Sequence, residues 1–175
     1  MKIGLYAHTH GVGYRDEQNQ FVKSIPAASM HPVDVARRAE EAGFHSMWFP
    51  DHVCMPVAST SAHVANESRT RAYEPMHQML DGAVVMGAAA ASTTRLKLGS
   101  SVLIAPYRGP LNDARQLATI DVLSGGRLLV GVGAGWMEEE FAALGLPFAA
   151  RGRMTEECIE IYKRIDEDGL SSPRP

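Results

Sequence analysis

Residues 96–136 read LKLGSSVLIAPYRGPLNDARQLATIDVLSGGRLLVGVGAGW. The run Ser101 to Ala105, bounded by Gly99 and Pro106, has the continuous apolar character of a strand covered on both faces. A helix over Asn112 to Ser124 follows. It places Leu111, Ala114, Ala118 and Val122 on one side, with Leu117 beside them, a face expected to pack on a sheet. Ser124-Gly125-Gly126 stops that helix, because glycine takes the left-handed conformation without a Cβ clash, and Leu128 to Val132 begins a second strand at once. Strand, helix and strand in this order make a βαβ unit, whose strands run parallel. The second strand ends on Gly131, Gly133 and Gly135, alternate positions whose missing side chains leave room for a flat ligand against the backbone.

Working outward, the 175 residues are 45% apolar and 21% charged, a globular composition. A net charge of -3, with no basic block interleaved with aromatics, argues against nucleic acid as a partner. Met1-Lys2 leads directly into Ile3-Gly-Leu-Tyr-Ala7 and no run of about 20 apolar residues follows, so neither a leader peptide nor a membrane span is expected. Cys54 and Cys158 are too few for a disulfide framework and lack metal-ligand spacing, so they read as free thiols of a cytoplasmic protein with no metal site.

Lys2 to Ala7 forms the first strand, and His8 to Met30 a long loop with His8 and His10 at its start, either substrate contacts or solvated histidines. Pro32 opens a helix with Val35, Ala39 and Ala42 at helical spacing, and Gly43 closes it. Ser46 to Pro50 is the next strand. Asp51-His52 at its carboxyl end is either a catalytic pair or a cap and turn carboxylate. Val53 to Glu74 reads as a substrate lid in which Arg69 and Arg71 hold an anionic group or are simply solvated. Pro75 starts a helix with Leu80, Ala83, Val84, Gly87 and Ala91 on one face, and Met76, Met79 and Met86 fill gaps. Glu138 to Glu140 suit a helix start electrostatically, or supply a catalytic acid. Met154 to Ile165 is the last helix, with Cys158, Ile161 and Ile165 on one side. One domain therefore spans residues 1–165, and 166–175 form a polar, frayed tail.

The stretch LGSSVLIAPYRGPLNDARQLATIDVLSGGRLLVGVGAGWMEEEFAALGLPFAARG, residues 98–152, resembles the central signature of the bacterial-luciferase-like superfamily, nearest its branch of oxidoreductases dependent on the deazaflavin coenzyme F420. The likeness runs from the opening strand to about Ile165. It implies an α/β fold of the (β/α)8 TIM-barrel class, typically about 250 residues, of which the first four β/α units are present as a half barrel. Open edges on the first and fourth barrel strands imply a homo-oligomer formed through those edges. The resemblance further implies hydride transfer between the deazaflavin C5 and a small-molecule substrate. In it Asp51 helps hold the coenzyme and His52 donates or accepts a proton. Ser101 and Val102 form a strand bulge with a cis peptide bond against the back of the ring, Ile104 occupies a ring-site position, and Ala134-Gly135 is a backbone pair touching the coenzyme. Trp136 stands where the family's sugar-phosphate dehydrogenases have a catalytic glutamate, which speaks against their reaction. Barrel phosphate anchors usually follow strands seven and eight, outside these four units. Two alternatives stand beside the F420 reading: an FMN-dependent luciferase-like monooxygenase, and a non-catalytic half barrel, either a remnant or an association module.

Overall fold

The computed structural model describes residues 1–7, 9–15, 17–18, 21–61 and 78–167. The expectations for His8, Arg69, Arg71, Pro75, Met76 and residues 168–175 lie outside the described residues. In chain order the elements are β1 (Gly4–Tyr6), β2 (Val12–Arg15), β3 (Phe21–Ile25), α1 (Pro32–Glu41), β4 (Ser46–Phe49), α2 (Gly82–Ser92), β5 (Lys97–Ile104), α3 (Pro110–Ser124), β6 (Leu128–Gly133), α4 (Glu138–Ala143) and α5 (Arg151–Glu167). Strands β1, β4, β5 and β6 lie in that order in one sheet, each parallel to its neighbour. The central βαβ unit is thus formed as the sequence indicates, with Gly125 at φ 65 ending α3. Four β/α units around an open parallel sheet make half of a (β/α)8 barrel, with β1 and β6 as its edges.

Period-two alternation sets the two faces of the sheet. Met47, Phe49 and Leu98 enter a core with Ala36 and Ala39 of α1, Val85, Met86, Ala89 and Ala90 of α2, and Ile120 of α3. Trp48 turns to the other face, where its Nε1 donates to Ser46 Oγ at 2.9 Å. A Cβ on Gly4 or Gly99 would collide with its indole, so these two glycines make room for a side chain of the protein itself. On the helix-free side Tyr6 and Val102 stay 43% and 42% exposed, which corrects the reading of β5 as covered on both faces.

Three further expectations are corrected. The segment His8 to Met30 contains the antiparallel β2–β3 hairpin, pairing Val12 with Ile25, and a short 3-10 turn over Ala27–Met30. Helix α2 starts at Gly82, capped by Asp81 Oδ1 on the Val84 N–H at 3.0 Å. It buries Val85, Met86, Ala89 and Ala90 and leaves Val84 70% exposed. Its residues are small or apolar on every side, so spacing could not select the inward face. Helix α3 is rotated likewise. Ala114, Leu117 and Ile120 point inward together with Asp113 and Asp121, while Leu111 and Val122 are 71% and 56% exposed. Burial of Asp113 is made possible by Tyr162 on α5, whose hydroxyl donates to Asp113 Oδ2 at 3.1 Å.

The amino-terminal rim of the sheet is held by two charged side chains that clasp one loop. Glu40 at the end of α1 accepts the N–H groups of Thr94, Arg95 and Leu96 at 2.9, 2.5 and 2.8 Å. From the other side Arg127, 8% exposed, spends all five guanidinium donors. They go to Ser124 O (2.6 Å), Thr93 Oγ1 (2.9 Å), Leu96 O (2.7 Å), Ala90 O (2.8 Å) and Thr93 O (2.9 Å). The chain therefore crosses from α2 to β5 with its backbone polar groups satisfied on both sides. Among the described residues no helix is long and apolar enough to cross a membrane.

Candidate active site

Strand β4 delivers Asp51 and His52 to the carboxyl-terminal rim, the end of a barrel where catalytic groups gather. The two side chains have different partners. Asp51 is 7% exposed and accepts a forked pair of bonds from Arg108, Nη2 to Oδ1 at 2.6 Å and Nη1 to Oδ2 at 2.8 Å. Its Oδ2 also accepts the Ile104 N–H at 2.9 Å, which ties the end of β4 to the end of β5. Arg108 reaches Asp81 Oδ2 at 3.2 Å as well. Burial disfavours the guanidinium charge, but Asp51 and Asp81 outweigh that and raise its pKa.

His52 faces a carboxylate that the sequence pattern did not single out as its partner. Nδ1 of His52 lies 2.8 Å from Glu140 Oε2. Glu140 has no exposed surface. Its Oε1 accepts the N–H groups of Val53 and Cys54 at 2.7 and 3.1 Å, and its Oε2 also accepts the Tyr107 hydroxyl at 2.9 Å. Burial opposes ionisation of Glu140, yet the bond and charge of His52 and the two N–H groups prevail, and its pKa is lowered. Burial and the same carboxylate push the Tyr107 phenol up, so it stays protonated and donates. Trp136 stands edge-on to His52, ring centroids 6.4 Å apart at 85°.

The three glutamates at the start of α4 thus diverge. Glu138 is exposed. Glu139 accepts the N–H groups of Thr60 and Ser61 at 2.5 and 3.1 Å, and Glu140 holds Val53, Cys54 and His52. Two of them fasten the loop after β4 onto α4, so the favourable helix-start charge describes only part of what they do. A second apolar cluster lies beneath: Ile104, Tyr107 and Phe141, with Leu144, Leu146 and Phe148 packed against it. Tyr107 and Phe141 meet edge-to-face at 5.0 Å, and Phe141 and Phe148 at 5.3 Å. This cluster fixes both Tyr107 and the helix bearing Glu140.

Beside this dyad, β5 bulges. Ser100 pairs with Val130 and Leu103 with Val132, three steps against two, and the Ser101–Val102 peptide bond is cis, as the resemblance implied. Ser101 and Val102 are the exposed residues of an otherwise covered strand end. The glycines of β6 serve this bulge. A Cβ at Gly131 would strike the Ser100 carbonyl and one at Gly133 would lie 2.5 Å from Val102 Cγ2. Gly135, at φ 80, makes room for Ile104 and Phe141. The space expected for a flat ligand at these glycines is filled by the protein's own bulge, and the exposed platform is Val102 in front of them. Of the anticipated site residues, His52, Ser101, Val102, Ala134 and Gly135 gather at this rim. Ile104 is 4% exposed and its side chain sits in the second cluster, beside Gly135. His10 is 8% exposed, and its backbone bridges to Met79. Among the described residues no cluster of His, Cys, Asp or Glu could hold a metal ion, and both cysteines are free.

The carboxyl-terminal rim thus carries an exposed bulge at Ser101 and Val102, and His52 follows the neighbouring strand β4. The chain is 34% identical over 134 residues to an uncharacterised protein of Mycobacterium tuberculosis, covering 77% of this chain and 48% of that one. It is 42% identical over 78 residues to an FMNH2-dependent dimethylsulfone monooxygenase of Pseudomonas putida, covering 43% of this chain and 21% of that enzyme. Among solved structures it resembles an F420-dependent secondary alcohol dehydrogenase in complex with an F420-acetone adduct, at TM-score 0.63 and 25% identity, covering 94% of this chain and 41% of that one. The chain spans about half the length of the curated relatives it matches first. A family model for luciferase-like monooxygenases matches residues 1–169, and the chain belongs to that family.

Proposed function

We propose that this chain carries the ring-binding and proton-transfer part of an F420-dependent oxidoreductase acting on a small organic molecule. The observation that carries the reading is the buried His52–Glu140 pair, whose histidine follows the strand next to the Ser101–Val102 bulge, at the carboxyl-terminal rim. When bound, F420 supplies a carbon that takes or gives a hydride. The protein positions the ring and moves the accompanying proton. Val102 and Ser101 support one ring face, the backbone at Ala134-Gly135 borders it, and Ile104 sits beside Gly135. Asp51 acts by locking the β4 and β5 ends together through Arg108 and the Ile104 N–H. His52 exchanges the proton, a task for which an imidazole near neutrality is suited. Trp136 beside His52 supports a reaction other than that of the sugar-phosphate dehydrogenases.

A second reading keeps the fold and uses FMN, favoured by the likeness to the dimethylsulfone monooxygenase. Association through the sheet edges and a cytoplasmic location belong to the same proposal. Ile3 and Tyr6 on the β1 side are 50% and 43% exposed, and Val130 of β6 is 43% exposed. The test is fluorescence titration of the purified chain with F420 and with FMN, alongside its mass in solution. Saturable F420 binding, weakened at least tenfold by Val102→Trp with the unfolding midpoint unchanged, supports the reading. Binding of FMN alone transfers it to the monooxygenase class. Binding of neither by a defined oligomer replaces it with a non-catalytic association module.

A further inference from the structure

We infer that Glu140 is a positioning residue that sets which nitrogen of His52 carries the proton, so that His52 exchanges protons through Nε2 alone. The inference rests on the proposed redox reading only for its consequence; the geometry stands by itself. Glu140 Oε2 lies 2.8 Å from His52 Nδ1 and has no exposed surface. A carboxylate accepts and does not donate, so a neutral His52 must place its hydrogen on Nδ1 to make this bond. Nε2 is then the nitrogen that gains a proton when the ring becomes cationic and gives it up again.

The rest of the Glu140 environment makes the pairing directional. Oε1 is held by two backbone donors, the Val53 and Cys54 N–H groups at 2.7 and 3.1 Å. Backbone N–H groups cannot reverse their polarity, so an oxygen is required at that position. Oε2 faces His52 Nδ1 and the Tyr107 hydroxyl at 2.8 and 2.9 Å. Tyr107 is a hydroxyl and can accept as well as donate. In Glu140→Gln the carbonyl oxygen must therefore stay with Val53 and Cys54, which turns the amide NH2 toward His52 Nδ1 and Tyr107. That NH2 donates, Nδ1 must accept, and the imidazole hydrogen moves to Nε2. A change of one atom, equal in shape, inverts the imidazole and makes Nε2 a donor.

The experiment is a multiple-bond proton–nitrogen correlation spectrum of the nitrogen-15-labelled 175-residue chain at pH 8. The His52 signals are assigned by their loss in His52→Gln. Wild type shows the hydrogen on Nδ1 and an unprotonated Nε2. Glu140→Gln reverses this by at least tenfold in tautomer ratio, while Tyr107→Phe leaves the hydrogen on Nδ1. A wild-type hydrogen on Nε2, or a folded Glu140→Gln with unchanged tautomer, overturns the inference. Should Glu140→Gln fail to fold, the wild-type and Tyr107→Phe spectra decide it by the same criterion. If a cofactor binds, turnover in Glu140→Gln falls about 10²–10⁴-fold, the range a lost general acid or base costs. If no cofactor binds, the functional reading fails and the tautomer result still stands.

Discussion

The two rims of the sheet use the same device for different ends. At the amino-terminal rim the Glu40 carboxylate catches three successive backbone N–H groups, and at the carboxyl-terminal rim Glu140 catches two. Each stitches a loop to a neighbouring helix. What differs is the remaining partner. Glu40 works opposite Arg127, whose donors all end on carbonyl or hydroxyl oxygens, so nothing in the clasp changes protonation near neutrality. The N–H groups of Arg95, Leu96 and Thr94 overcome the effect of burial and hold Glu40 at a pKa of about 2. Glu140 instead holds the ring nitrogen of an imidazole, a partner that can both donate and accept a hydrogen. One carboxylate binds the backbone of a loop; the other binds backbone, a tyrosine hydroxyl and a histidine as well.

The largest expected effect tests the first half of this comparison. Arg127→Leu leaves buried carbonyls of Ala90, Thr93, Leu96 and Ser124 without donors and should cost about 3 kcal/mol or more, read as a lowered urea midpoint. Cofactor binding by the fraction still folded should be unchanged. A parallel loss of binding affinity would show that the two rims are not separable.

Asp51→Asn, at the opposite rim, should cost about 2–4 kcal/mol because a buried forked ion pair loses its charge complement. Here binding should fall with stability, since the tie between β4 and β5 positions both His52 and the bulge. Unimpaired binding in a destabilised chain would reduce Asp51 to a purely structural role.

The smallest effect runs the other way. Asp113 is 1% exposed, and its Oδ1 has no hydrogen-bond partner among the described residues. Burial raises its pKa from 3.8 to about 6, against the opposing Tyr162 bond. The folded state thus holds its proton more tightly than the unfolded chain, so this contribution is full below pH 3.8 and is lost as pH rises to about 6. At pH 7 the ionised group opposes folding by up to about 3 kcal/mol. Asp113→Asn should raise the pH 7 unfolding midpoint and flatten its pH dependence between 4 and 6. Glu140 has the opposite sign: its lowered pKa contributes stability above the ordinary glutamate value that disappears as pH falls. Denaturation curves of Asp113→Asn over this range therefore separate a buried acid that binds a helix from one that serves a histidine.

Much of this architecture was legible from local pattern. The βαβ order, the glycine stop at Gly125 and the Asp51-His52 placement follow from neighbouring residues, because strand period, helix capping and chain order are local properties. The resemblance added the Ser101–Val102 bulge. The inward faces of α2 and α3 were not legible, since an all-apolar helix and a helix that buries two aspartates both defeat a hydrophobic pattern. The role of Gly131 and Gly133 was misread for a similar reason: missing side chains mark a close approach without saying what approaches. Glu140 lies 88 residues from His52, within a run of three glutamates that looks like an ordinary helix start. Sequence by itself determined the fold class and the placement of Asp51 and His52 at the carboxyl-terminal rim. Tertiary structure alone decided that Glu140 faces that histidine, Asp51 binds Arg108 and Glu40 meets Arg127's loop, because a buried charge is defined by the partners that fold around it.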